Sequence, residues 1–291
     1  LYGKANIIMK NIFSILFLFC SIFVFSQHRL AYKLFDAKGK KTSYEKLLKV
    51  SEKSELILFG EYHDNPISHW LELILIKDLY SKKMLVLGAE MIEKDNQNQL
   101  NQYLRGEINQ KGLDTLARLW NNYATDYKPI VDFAKENQLD FVATNIPRKY
   151  ASMVYKKGLE VLDTLSENEK KWIAKLPIQY DPTLSQYQKM LEMAQGHAGD
   201  NLPKAQAIKD ATMANSIVDN LKENTIFIHY NGSFHSDFYQ GIYWYVRQER
   251  PNLKIITIAT VSQENLSKLE EEHLGRADFI IVVDQDMTKT F

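Results

Sequence analysis

Short apolar runs alternate with longer stretches of helical periodicity along most of the chain. Residues 56–59, 84–89, 139–143, 225–230, 254–259 and 278–283 are rich in Ile, Val, Leu and Phe and lack clean polar alternation, as strands covered on both faces do. Residues 32–35 add an edge strand. Strands alternating with helices predict an α/β class, with a largely parallel central sheet flanked by helices. Asn65 and Pro66 mark a helix start, a cap followed by a residue whose missing N–H is harmless there. Ile67, Trp70, Leu71, Ile74 and Leu75 then trace its apolar stripe. Ser166 with Glu169 reads as a capping box. Residues 203–222 form a long helix that buries Ala205, Ile208, Met213, Ile217 and Leu221. No strand pattern appears between residues 145 and 224, so this stretch is read as a helical insertion over the carboxyl edge of the sheet. A glycine-flanked loop around His197 lies within it.

The first residues form a different pattern. Lys10 precedes an apolar run over residues 12–25, broken by Ser14 and Ser21. It is shorter than the about 20 residues a membrane span needs. A basic start, such a run and the small residue Ser26 describe a secretory signal peptide over 1–26, leaving 27–291 as a single domain that begins at Gln27. Cys20 follows the bulky Phe19, so it is read as part of the removed segment rather than as a lipid attachment point. The chain is expected to be exported, to the periplasm or the envelope.

Composition narrows the chemistry. Removing residues 1–26 takes away Lys4 and Lys10 and no acid, leaving 34 basic against 36 acidic residues. This balance gives no electrostatic case for a nucleic-acid partner. It also leaves no cysteine, so disulfides and thiolate metal sites are excluded. No Walker loop, dinucleotide fingerprint, nucleophile elbow or H-E-x-x-H is present.

Two copies of G-x-x-H carry the strongest functional signal. Gly60-Glu61-Tyr62-His63 follows one apolar run and Gly232-Ser233-Phe234-His235 another. Ligands of open α/β sheets bind outside the carboxyl ends of the strands, where two such histidines converge. Glu90 ends the second core strand and joins the same rim if its strand is a neighbour. Asp64, His69 and Asp237 lie close by in sequence. Carboxylates beside histidines suit a divalent metal or a general base oriented by an acid; singly, each also suits a loop or a helix cap. His229 alternates away from the rim and reads as a satisfied core histidine, and His28 and His273 as surface residues. His69 reads equally as lining the site or as exposed. Tyr123, Tyr127, Tyr239, Tyr243, Trp244 and Tyr245 read mainly as packing, although tyrosine also serves as an axial ligand of ferric haem.

The ordered series Gly60-Glu61-Tyr62-His63-Asp64-Asn65-Pro66, Glu90-Met91, Ala143-Thr144-Asn145-Ile146-Pro147-Arg148, Lys204-Ala205-Gln206-Ala207-Ile208-Lys209-Asp210-Ala211-Thr212-Met213-Ala214 and Asn231-Gly232-Ser233-Phe234-His235 resembles the ChaN-like haem-binding uptake proteins. These sit in the superfamily that includes the Tiki, TraB and erythromycin-esterase groups. The resemblance implies an exported protein of haem or iron uptake, a homodimer holding haem at the rim or the dimer interface, and an envelope partner for haem transfer. The ligand-binding residues it suggests are His63, Asp64, Arg148, His197, Asn231 and His235. Tiki-like members imply an alternative, a metal-dependent hydrolase with zinc or manganese on His63, Glu90 and His235 and with Glu61 and Glu90 as catalytic groups. The chain departs from the family at Cys20, which does not match the relative's lipoprotein cysteine, and at Ser233-Phe234, where other members carry a plainer Gly-His pattern.

Overall fold

A computed structural model describes residues 30–194 and 199–291; the expected signal peptide with its Cys20, His28 after it, and the loop residue His197 lie outside them. Eight strands form one sheet: β1 (Tyr32–Asp36), β2 (Lys41–Thr42), β3 (Leu56–Glu61), β4 (Met84–Glu93), β5 (Asp140–Asn145), β6 (Thr225–Gly232), β7 (Ile255–Gln263) and β8 (Phe279–Asp284). Their spatial order is β2-β1-β8-β7-β3-β6-β4-β5. The six strands from β8 to β5 run parallel, and β1 and β2 close one edge antiparallel. Each expected strand is present, with bounds shifted by up to four residues. The two-residue β2 has no periodicity to announce it.

The helices are α1 (Tyr44–Ser51), α2 (Pro66–Tyr80), α3 (Gln97–Leu104), α4 (Gln110–Leu116), α5 (Lys128–Glu136), α6 (Arg148–Lys157), α7 (Glu167–Lys170), α8 (Ser185–Met193), α9 (Leu202–Asp219) and α10 (Ile242–Glu249). The chain steps outward from β3 to β4 to β5, then back to β6, which slots between β3 and β4. Right-handed crossovers therefore place the outward and returning helices on opposite faces. Leu71, Leu75 and Leu79 of α2 and Ile130 of α5 pack on Ile57, Leu87 and Ile228. Val154 of α6, Ile208 and Ile217 of α9 and Val246 of α10 pack on Leu56, Leu58 and Phe227.

Asn65 caps α2, its Oδ1 accepting from the N–H groups of Ile67 and Ser68 at 3.0 Å each, and the Ser166–Glu169 capping box is formed. The apolar stripe of α2 is rotated from the expected one. Leu71, Leu75, Ile76 and Leu79 are buried and Trp70 is exposed, because α2 also turns His69 and Glu72 inward. Leu221 lies past the end of α9 and is only partly buried. The helical stretch between 145 and 224 divides its work: α9 covers a sheet face, while α8 sends Gln186, Lys189 and Met190 to the carboxyl edge. Among the described residues no helix is long and apolar enough to cross a membrane.

Candidate functional site

Adjacent strands whose connections leave toward opposite faces open a crevice at their carboxyl ends. The connection after β3 goes to one face and that after β6 to the other, and both G-x-x-H motifs stand at this point. Glu61 pairs with Gly232 across β3 and β6, and Ala89 pairs with Tyr230 across β6 and β4. Glu61, Gly232 and Glu90 therefore reach one edge together, although β3 and β4, whose adjacency was the condition for this, have β6 between them.

On the β3 side, Glu61 is fully buried. Its Oε1 lies 2.7 Å from His63 Nδ1 and accepts from the Tyr127 hydroxyl at 2.8 Å. Burial opposes its charge, but His63 and His69 hold its carboxyl well below the usual range. The same pairing raises His63 above its ordinary value against the pull of burial. Trp120 meets the His63 ring edge-on at 4.8 Å. The His63 carbonyl accepts from Asn122 Nδ2 at 2.9 Å and lies 3.2 Å from His69 Nε2. One π-helical turn, Tyr123–Tyr127, brings Asp126 and Tyr127 against this cluster, and such turns recur at functional sites.

On the β6 side, Glu90 reaches over Gly232. Its Oε2 accepts from the Gly232 N–H at 2.8 Å and its Oε1 lies 3.1 Å from His235 Nε2. His235 Nδ1 meets Asp210, which also accepts from the Tyr187 hydroxyl at 3.1 Å. Gln206 stands 3.0 Å from the same ring nitrogen. Burial resists the charge, yet Glu90 and Asp210 hold the imidazole protonated up to about 10. Glu90 is likewise buried, and His235 draws its carboxyl down to about 2. Gly232 is where a side chain has no room: a Cβ there would lie 2.7 Å from His63 Nε2 and 3.6 Å from Glu90 Oε2.

Two cavities flank the His63–His235 pair. One, about 820 Å³, is lined by Tyr62, Asp64, Gln186, Met190, Phe234 and Arg276 among others. The other, about 1030 Å³, is lined by Glu90, Trp120, Arg148, Lys149 and Lys209. His63 and His235 belong to both walls. Arg148 therefore borders the site, and so does Asp64, which pairs with Lys289 at 2.6 Å. Asn231 does not: it is fully buried and its amide is spent on the Gly232 carbonyl and the Ser236 hydroxyl, so it shapes the loop. His229 is the satisfied core histidine expected, bonded to Thr144 and Asn231. His69 is buried. His273 corrects the surface reading: a single 3-10 turn tucks it inward, where it is buried and lines the smaller cavity. Tyr239, Tyr243, Trp244 and Tyr245 pack on one another in edge-on pairs.

The sequence reading missed Gln206, Asp210, Glu72 and Trp120 as site residues. Three of them had a signal. Gln206 and Asp210 interrupt the apolar face of a helix one turn apart, and Glu72 lies one turn beyond His69 on another. Trp120 had none. Among the described residues, the histidine–carboxylate sets whose ligand atoms all lie within 4.8 Å of one another are Glu61–His69–Glu72 and Glu270–Glu272–His273. The trio His63, Glu90 and His235 is not one of these sets.

Residues 47–246 match the family described as "Haem-binding uptake, Tiki superfamily, ChaN". Among solved structures, one similar chain is that of "Cofacial heme binding to ChaN of Campylobacter jejuni", with a TM-score of 0.65 at 18% identity over 87% of this chain and 96% of that one. A Bacillus cereus protein aligns with a TM-score of 0.52 at 10% identity over 87% and 95% of the two chains. At these identities the likeness is one of fold. No curated protein matches the chain by sequence.

Proposed function

The chain belongs to the ChaN-type haem-binding uptake family of the Tiki superfamily, and on that premise we propose that it is an exported protein that binds haem at the carboxyl edge of its sheet. The observation that carries this reading is the state of His63. Its Nδ1 is held by buried Glu61 at 2.7 Å, while the ring is one-third exposed at the cavity wall. A carboxylate on one imidazole nitrogen orients the ring and leaves the other nitrogen for iron. Trp120 supplies a flat apolar wall, and Arg148, Lys149 and Lys209 supply cations for propionates around the larger cavity. Tyr62 also lines the rim, but burial raises its phenol, which disfavours the phenolate that ferric iron takes. The fold relative from Campylobacter jejuni is described by cofacial haem binding. By extension, this chain dimerises as it takes up haem and passes it to an envelope partner.

The hydrolase alternative places zinc or manganese on His63, Glu90 and His235. Nδ1 of His235 is taken by Asp210, and the trio is not among the sets whose ligand atoms all lie within 4.8 Å of one another, so a metal there requires the rim to rearrange. That requirement favours haem over the hydrolase. Haemin titration and elemental analysis of one preparation of the mature chain separate the two. Haem binding is expected to give a saturable Soret shift and a change in oligomeric state. Haemin uptake no better than that of a generic albumin contradicts it.

A further inference from the structure

The carboxylate that orients His63 has a second oxygen directed away from the rim. Glu61 Oε2 lies 3.2 Å from Nδ1 of His69, and Glu72 Oε2 lies 3.2 Å from that same nitrogen. The other ring nitrogen, Nε2, is 3.2 Å from the carbonyl of His63. A carbonyl only accepts, so Nε2 carries a ring proton. Nδ1 then turns its lone pair toward two carboxylate oxygens. Glu61 and Glu72 are 1% and 0% exposed, so three acceptors face one another in a space without water. They repel unless a proton or a metal ion stands among them.

A proton, on His69 or on Glu72, and a metal ion both suit the space, and three observations favour the metal. A histidine that donates one N–H to a backbone carbonyl is in the arrangement that orients metal-ligating imidazoles. Donor atoms sharing an ion at about 2.1 Å lie about 3.0–3.4 Å apart, which matches the two 3.2 Å separations here. Glu61 Oε2 and Glu72 Oε1 are buried without a hydrogen-bond partner.

We propose that Glu61, His69 and Glu72 hold a divalent first-row metal ion, zinc binding more tightly than manganese. One imidazole and two carboxylates form a hard-to-borderline donor set suited to these ions. Glu61 then works on both sides, its Oε2 on the ion and its Oε1 on His63 and Tyr127, so the ion fixes the group that orients the rim histidine. This site is separate from the haem reading and from the His63–Glu90–His235 metal set.

The test uses the mature chain, stripped with chelator and dialysed against Zn²⁺. One equivalent is expected by elemental analysis, lost in Glu72→Gln and retained in His235→Asn, with a higher melting temperature for the loaded wild type. Loss in His235→Asn with retention in Glu72→Gln moves the ion to the rim and overturns the proposal. If Glu72→Gln does not fold, X-ray absorption of the Co²⁺-loaded wild type decides. One imidazole in the shell supports the site, and two imidazoles overturn it. Wild type that retains no metal after dialysis against millimolar Zn²⁺ holds only a proton there, and this also overturns the proposal. Haemin titration reads a different face of Glu61, so failure of either idea leaves the other measurable.

Discussion

Gly232 is the residue on which the rim turns. Its missing side chain leaves the space that His63, just after β3, and Glu90, on β4, occupy over the strand between them. In Gly232→Ala the new methyl would lie 2.7 Å from His63 Nε2, and the imidazole, pinned by Glu61 and Trp120, has to swing away. Because the obstructed atom is the end of a side chain, the fold survives at a cost of about 1–3 kcal/mol. Haemin affinity is expected to fall about tenfold or more, equivalent to about 1.4 kcal/mol per decade; circular dichroism and Soret titration check the two halves. Asp210 acts differently. Asp210→Asn removes one of two carboxylates facing a buried imidazolium, and breaking such a pair costs about 3–5 kcal/mol. Urea unfolding is expected to show a lower midpoint of that order; an unchanged midpoint would mean that His235 is neutral in the folded chain.

The strands arrange these residues, and β3 is closely approached by its neighbours at Gly60. A Cβ there would meet the Ile258 carbonyl of β7 at 2.8 Å and the Ser233 backbone at 2.9 Å. Both obstacles are backbone, so Gly60→Ala is expected to destabilise more than Gly232→Ala, and paired thermal melts give the order directly. The strands themselves were legible in the sequence because parallel strands covered on both faces are continuous apolar runs. His63, Glu90 and His235 were legible for the same reason, each following such a run. The order of the strands was not, since periodicity says nothing of β6 returning between β3 and β4. Asp210 and Glu72 were hidden because they come from helices. Asp210 sits 25 residues before the histidine it holds, and only a charge on a buried helical face marked it. The stripe of α2 was misjudged because apolar Trp70 faces outward while polar His69 and Glu72 face in.

Across the whole molecule, these buried pairs link stability to pH. His235 is raised from 6.5 to about 10, so its contribution is complete below pH 6.5 and is lost as pH climbs toward 10. Glu90 is lowered from 4.5 to about 2, so its contribution is complete above pH 4.5 and is lost as pH falls toward 2. Together they are whole between these limits. Melting temperature is expected to decline on both sides of this window, and His235→Gln to flatten part of the alkaline decline. Parallel curves for the two proteins would contradict the pairing. The rim at the switch point, with His63 oriented by Glu61, is the centre on which the proposed haem binding rests. The most direct measurement is haemin titration of wild type, His63→Ala and Tyr62→Phe, with folding checked by circular dichroism. A saturable Soret shift in wild type and Tyr62→Phe, abolished in His63→Ala, is expected. An unchanged shift in folded His63→Ala, or none in wild type, contradicts haem binding at this rim.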